Sequence, residues 1–409
     1  MAWDRKTLEE CTEYITDGDH QPAPKSDDGV LFIKIKDIKD SRVDFKEALH
    51  VPLVYYEGIQ RNRKPVLGDT LYTVVGSYGL SAYVNFNIPF CFERNIALLH
   101  PKKGVDSRFL FYSVNTPDFF KQAENAANGA AQKLIPLSRL KQLKIQVPPF
   151  ATQQKIADIL SAYDNLIENN QKQIKLLEEA AQRLYKQWFI DLRYPGHETT
   201  PIVDGLPEGW KKVARGDVYG KIESGSRPKG GIDSSIRDGV VSVGAENVIG
   251  LGQYNYSSEK LVSHEFYENS KRGKVEDRDI LVYKDGAYIG RTSLFQDEFP
   301  RKVMMVNEHV FLLNAKNPLY QYYLFFTLNR QEYFDKMQKL NKNSAQPGIN
   351  QDALKSLVII WPSDEIVMKF DNFVAPMVKK IFALAKQNYE LSQSRDRLLP
   401  KLMNGELEI

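Results

Sequence analysis

From Ile156 to Trp188 the seam positions return at alternating intervals of four and three: Ile156, Leu160, Tyr163, Ile167, Asn170, Ile174, Leu177, Ala181, Leu184 and Trp188. A second stretch repeats the spacing with Phe370, Val374, Met377, Ile381, Leu384, Asn388, Leu391, Arg395, Leu398 and Leu402. A stripe that narrow and that long is a coiled-coil seam, not the wider apolar face of a helix lying on a globular core. It predicts two long helices, opened by Pro148-Pro149 and by Pro362, the first about 50 Å long at 1.5 Å per residue. Pro376 lacks the amide hydrogen that a helix interior uses and is expected to kink the second helix near one end. One seam alone would suit a dimerisation coil, but two matched seams in one chain favour pairing within the chain. Antiparallel pairing with ends matched sets Asn170 against Asn388, Trp188 against Phe370, Ala181 against Met377 and Leu184 against Val374. A parallel pairing sets Asn170 opposite Leu384 and Asn388 opposite Ile174, burying two amides without partners at about 1–3 kcal/mol each.

Outside the seams the pattern is mixed. "FIKIKDI" alternates apolar and charged residues as a half-buried strand does, and "IPFCFERNIALLHP" and "KVMMVNEHVFLLN" also read as strands. "RFLFYSVNTPDFFKQAEN" and "LYQYYLFFTLNRQEYFDKM" read as helical. These elements come in the same order twice. "GAAQKLIPLSRLKQLKIQVPP" from Gly129 reappears as "NSAQPGINQDALKSLVIIWPS" from Asn343, with Ala131, Gln132, Ile135, Leu140, Lys141, Leu143, Ile145 and Pro148 retained. "GDTLYTVVGSYG" from Gly68 corresponds to "RDILVYKDGAYI" from Arg278, and Trp3 and Asp17-Gly18 correspond to Trp210 and Ser224-Gly225. The offset grows along the chain, as small insertions in surface loops of a shared fold produce. The chain is an internal duplication: a mixed head, 1–149, with a helix, 150–193; a Pro- and Gly-bearing linker, 194–206; a second head, 207–362, with its helix, 363–409.

Composition narrows the setting. A chain of 409 residues, 42% hydrophobic, has ample material for two or more cores. Its longest apolar runs, "YLFFTL" and "SLVIIW", are far short of the roughly 20 residues of a membrane helix. The acidic opening "MAWDRKTLEECTEY" has no apolar signal core, and two cysteines, Cys11 and Cys91, fit a reducing cytoplasm. The net charge of +3 names no partner, although local patches can still matter.

No covalent chemistry is legible. The six histidines, His20, His50, His100, His197, His264 and His309, form no metal-ligand spacing. There is no P-loop, no Gly-x-Ser-x-Gly elbow and no Glu-x-Lys nuclease pair. "GLGQYN" lacks the third glycine of a dinucleotide loop and reads as a hairpin turn. "VPPF" at Val147 looks like the tetrapeptide of adenine methyltransferases, but that motif opens with Asn or Asp, whose side chain holds the amino group; Val147 cannot.

Three features of the heads recur in both copies. "QRNRK" (60–64) corresponds to "SKRGK" (270–274), a basic cluster ahead of the matched strand. The loops after that strand, "VVGSYG" and "KDGAYIGR", share glycines that let backbone approach a ligand, beside Tyr78 and Tyr288. The third region is rich in amides: Asn128 and Gln132, then Asn341, Asn343 and Gln346. Amides read adenine edges, Arg and Lys read guanine, and cations neutralise phosphate. A solvated charge run and plain hairpins explain each feature singly; repetition on two heads favours a binding role.

The chain resembles, end to end, the specificity subunit of type I restriction-modification enzymes. The residues that carry the resemblance are "TDGDHQPAPK", "GDTLYTVVGSYG", "RDILVYKDGAYIG", the "AQ…I…L..L.I..P" blocks and the tail "RDRLLPKLMNGELE". The resemblance implies an α+β architecture: two mixed α/β target-recognition domains separated by two long antiparallel helices. It implies that each domain reads half of a bipartite, asymmetric site in double-stranded DNA. The helices are expected to set the spacing and to dock two modification (methyltransferase) subunits. S-adenosylmethionine and ATP would belong to those partners and to the restriction (translocase and nuclease) subunits, leaving this chain without a cofactor, metal or catalytic residue. Mapped onto the chain, the DNA-contact candidates of the first head are Lys25, Lys34, Lys36, Arg61, Arg63, Lys64, Ser77, Tyr78, Asn128 and Gln132. Those of the second are Arg227, Lys229, Lys271, Arg272, Lys274, Lys284, Tyr288, Arg291, Asn343 and Gln346. The basic residues are the phosphate clamp of this reading, and the turn and amide residues the base readers. A scaffold holding two protein or glycan partners at a set distance is the alternative, and salt-sensitive retention on DNA separates the two.

Overall fold

In the computed structural model, residues 3–129, 133–213, 216–341, 348–407 and 409 are described. The chain divides into two compact units, Met1–Leu166 with Leu391–Ile409, and Ile167–Glu390. Each unit holds one head and a segment of each long helix.

The first head is closed by its own ends. Strand Asp4–Thr7 pairs antiparallel with Lys144–Val147, Asp4 opposite Val147 and Thr7 opposite Lys144. Between them lies a four-stranded antiparallel sheet in the order Thr12–Asp17, Ile96–Pro101, Thr70–Thr73, Ser81–Tyr83. A three-stranded sheet follows the order Leu49–Val51, Val30–Ile33, Phe90–Phe92, the last pair parallel. Helix Ser107–Ser113 is capped by Asp106, whose carboxylate accepts the N–H groups of Arg108 and Phe109, and Thr116 caps Pro117–Ala126. The "FIKIKDI" strand ends at Ile33, and a short 3-10 turn, Ile35–Asp37, takes over.

The second head repeats the connectivity of these three sheets. Lys211–Val213 pairs with Ile359–Trp361. The four-stranded order is Tyr219–Ser224, Val310–Ala315, Ile280–Tyr283, Thr292–Leu294. Leu261–Val262, Val240–Val243 and Met304–Val306 form the three-stranded sheet, again with a parallel pair. Helix Gln321–Leu328 is buried on every face, so "QYYLFFTL" carries no amphipathic period.

Several residues that recur in both copies are explained by folding alone. A Cβ on Gly18 would lie 2.1 Å from the carbonyl oxygen of Phe92, and one on Gly225 would lie 1.6 Å from that of Val306. Only glycine admits that approach of two backbones. Asp69 and Asp279 are both wholly buried. Each uses Oδ2 to accept a turn N–H, from Val66 at 2.8 Å and from Glu276 at 2.9 Å. Burial pushes both carboxyls above the ordinary range. The copies offset that cost differently: His100 lies 2.6 Å from Asp69, whereas Lys221 lies 3.1 Å from Asp279.

The long helices run Phe150–Tyr185 and Asp364–Met403. In the second unit Asn170 Nδ2 donates to Asn388 Oδ1 at 2.9 Å and to Gln387 Oε1 at 3.0 Å. Trp188 packs on Phe370 at 6.1 Å between centroids, and Leu184 and Val374 share one core. In the first unit Ile156 and Leu160 share a core with Leu402 and Leu398. The helix segments are therefore antiparallel in the register that pairs the asparagines. The second helix continues through Pro376 without a break. One detail departs from the seam as read. The first helix ends in a π-turn, Lys186–Ile190, that buries both Trp188 and its neighbour Phe189. The linker is itself structured: Tyr194 is buried against Trp210, and Ile202–Val203 pairs with Leu206–Pro207.

Candidate nucleic-acid interface

Both heads project a glycine turn from the same place in the four-stranded sheet. In the first, the chain leaves Thr70–Thr73 through Gly76 and Gly79, at φ +67 and +90. A Cβ at Gly79 would stand 2.7 Å from the ring of Phe120. In the second, Ile280–Tyr283 leads through Gly286 and Gly290, at φ +106 and +91, and a Cβ at Gly290 would stand 3.0 Å from Cβ of Met337. Left-handed backbone explains the glycine that recurs at Gly76 and Gly286, and close helix contact adds to it at Gly79 and Gly290.

The amide region is laced to the turn. The N–H of Gly76 donates to the Lys133 carbonyl at 3.0 Å, and that of Ile135 to Val74 at 2.9 Å. In the second head the N–H of Ile349 donates to Lys284 at 2.9 Å, and Asp285 bridges to Gly348. The retained isoleucines Ile135 and Ile349 are the buried anchors of this lacing. In each head the described residues that flank the amide region thus share one surface with the glycine turn.

That surface differs in side chains. Tyr78 stacks on Phe120 at 6.0 Å with rings 9° apart, and the Lys133 ammonium lies 5.9 Å from the Tyr78 centroid. Ser77 is exposed at the tip, its carbonyl accepting the Thr73 hydroxyl at 2.7 Å. Asn128 is exposed, and its Oδ1 accepts from Arg139 at 2.9 Å. On the second head Tyr288 is 53% exposed, with the Arg291 guanidinium 4.1 Å from its centroid. Gln132, Asn343 and Gln346 lie outside the described residues.

The basic candidates divide into tethered and exposed. Arg63 donates to the Gly18 carbonyl at 3.2 Å and pairs with Asp17 at 3.3 Å, holding the turn around Gly18. Lys64 donates to the Glu57 carbonyl and lies over Tyr56; Lys274 donates to the Glu268 carbonyl and lies over Tyr267. Both cap the carboxyl end of the short helix before them, Leu53–Gly58 or His264–Asn269, so packing accounts for the retention of this lysine pair. Lys284 donates to the Glu308 carbonyl at 2.7 Å, and Arg227 pairs with the Glu308 carboxylate at 3.0 Å. Lys36 lies 3.9 Å from Asp37 and 4.0 Å from Glu47, and Lys34 is half-buried beside the same turn. Lys25, Arg61, Lys229, Lys271 and Arg272 are exposed.

Three residues of the first site escaped the sequence reading: Phe120, Lys133 and Arg139. Lys133 and Arg139 align with Pro347 and Ala353, so a search for shared residues passes them over. The usable signal was Phe120, an aromatic 46% exposed on a helix that already buries Phe119. Among the described residues no cluster of His, Cys, Asp and Glu could hold a metal ion, and no helix is long and apolar enough to cross a membrane.

Residues 7–179 and 207–385 each match the type I restriction modification DNA specificity domain. The chain belongs to that family, with two copies of the domain, and its role is DNA specificity rather than catalysis. It is similar to the MjaIX specificity subunit of a type I restriction enzyme from Methanocaldococcus jannaschii, 29% identical over 313 residues, covering 76% of this chain and 71% of that one. The HindI specificity subunit of Haemophilus influenzae is 21% identical over 441 residues, covering 92% and 91%. The crystal structure of a type I restriction-modification S subunit from M. genitalium shares the fold at a TM-score of 0.60 and 16% identity, covering 98% of this chain and 96% of that one.

Proposed function

We propose that this chain reads a split, asymmetric site in double-stranded DNA, each head reading one half, within a restriction-modification assembly in the cytoplasm. The observation that carries the reading is the pair of glycine-turn surfaces. They are built on the same strand and laced to the same amide region, yet one presents Tyr78 with Phe120 and Lys133 and the other Tyr288 with Arg291. A common scaffold with different tips reads different bases, because specificity sits in a few side chains at base edges while cations on the flanks hold phosphate. The exposed Lys25, Arg61, Lys229, Lys271 and Arg272 are the better phosphate contacts; Arg63, Lys64, Lys274 and Lys284 act first as internal ties. The paired helices set the gap between half-sites and dock two modification subunits. S-adenosylmethionine and ATP are used by the partner subunits.

Selection from a random duplex pool, with the modification subunits added, tests this. The expected result is two unlike half-sites separated by a fixed gap of arbitrary sequence, with retention falling steeply as salt rises. A single contiguous site, or a palindrome, would overturn the reading.

A further inference from the structure

The second head grips the second helix at a polar node that the DNA-reading surface does not include. Arg301 donates from Nε to Glu259 Oε1 and from Nη2 to Glu259 Oε2, both at 2.9 Å, and from Nη1 to the Tyr389 hydroxyl at 2.9 Å. Its guanidinium lies over both Tyr256 and Tyr389, 5.0 and 4.8 Å from their centroids, and those rings stack 4.2 Å apart. Glu259 and Tyr256 belong to the head; Tyr389 belongs to the helix. A bidentate arginine fork tied to a head carboxylate thus fixes the position of one helix residue with directional bonds.

The surrounding contacts admit little freedom. A Cβ at Gly252 would lie 2.5 Å from Ile381 Cγ2, and Phe299 packs on Phe382 at 5.6 Å. Apolar contacts of this kind hold the head against the helix but tolerate sliding and rotation, since they lack direction. The arginine bonds do not. Their helix partner, Tyr389, directly follows Asn388, the residue that pairs with Asn170. Coil register and head orientation are therefore set within one turn of the same helix.

We propose that Arg301 and Tyr389 are positioning residues that fix the rotational phase of the second head on its helix, and hence the exact spacer length accepted between half-sites. This rests on the split-site reading above. Neither residue is assigned to base contact, so their loss should relax spacing while leaving half-site sequence unchanged.

The test is binding by the full chain, assembled with its modification subunits, to duplexes that keep both half-sites and vary the spacer one base pair at a time. Arg301→Met removes the fork; Tyr389→Phe removes one hydroxyl, keeps the ring stack and leaves the fold intact. With Arg301→Met, preference for the best spacer over one a base pair longer or shorter should fall about tenfold, the scale of a lost charge-assisted hydrogen bond. Tyr389→Phe should give a smaller fall in the same direction, and reselection from a random pool should return the same half-sites. A spacer profile unchanged in Tyr389→Phe and Arg301→Met, or binding weakened equally at every spacer, would overturn the proposal. A wild-type protein with no split-site preference would instead overturn the functional reading beneath it.

Discussion

Asn170 and Asn388 show what a single polar residue in an apolar seam does. Asn170 is buried at 5% exposure, whereas Asn388 is half-buried and Gln387 exposed. The pair is therefore unequal under substitution. Asn388→Leu leaves the buried Asn170 amide with Gln387 alone and should cost about 1–3 kcal/mol of unfolding free energy. Asn170→Leu leaves Asn388 and Gln387 able to turn to water and should cost less, and the double leucine variant should recover most of the loss. Denaturant melts of the three variants in a double-mutant cycle check this; equal costs for the two single changes would contradict the hydrogen-bond geometry. This pair was legible in the sequence because the four-three spacing leaves each asparagine one facing position. Lys64 and Lys274 were not legible in the same way. Sequence repetition marks a residue as constrained but does not separate a phosphate contact from a lysine that caps the helix before it.

At the scale of elements, the period of the apolar pattern announced the two long helices, and the apolar stretches "IPFCFERNIALLHP" and "KVMMVNEHVFLLN" announced the strands Phe90–Phe92 and Met304–Val306. Gln321–Leu328 was readable as helix within "LYQYYLFFTLNRQEYFDKM" although it is buried on all sides, whereas the π-turn that brings Trp188 and Phe189 inward together has no 3.6-residue signature. The helices also carry the spacing prediction. The first runs 36 residues, about 54 Å at 1.5 Å per residue. Removing one facing heptad from each helix, on the same side of the asparagine pair, should leave the register intact and shorten the ruler by about 10 Å. At 3.4 Å per base pair that is about three base pairs less of preferred spacer, with both half-sites unchanged. Binding to a graded set of spacers measures it, and an altered half-site with an unchanged spacer would refute the ruler.

At the scale of the whole molecule, the duplication predicts that the heads are separable readers, and the strand pairing says where to cut. Each head begins and ends in one two-stranded ladder, Asp4–Thr7 with Lys144–Val147 and Lys211–Val213 with Ile359–Trp361. A graft that takes both strands of a ladder carries the closure of its head with it; one that takes a single strand leaves an unpaired edge. The boundary at 207 read from the sequence would split the hairpin Ile202–Val203 with Leu206–Pro207, so the graft should begin after Pro207 and end at Pro362. Trp210 must stay aromatic in the incoming head, because it packs on Phe189 at 5.8 Å and on Tyr194 at 5.1 Å. An incoming residue that mimics Arg301 should likewise be kept opposite Tyr389, so that the phase of the head is preserved. With these constraints met, replacing residues 208–362 by the corresponding head of a relative should change one half-site and leave the other half-site and the spacer as they were. Selection on random duplexes reads all three at once. A change in both half-sites would mean that base reading is shared between the heads, and the two glycine-turn surfaces would then be parts of one reader.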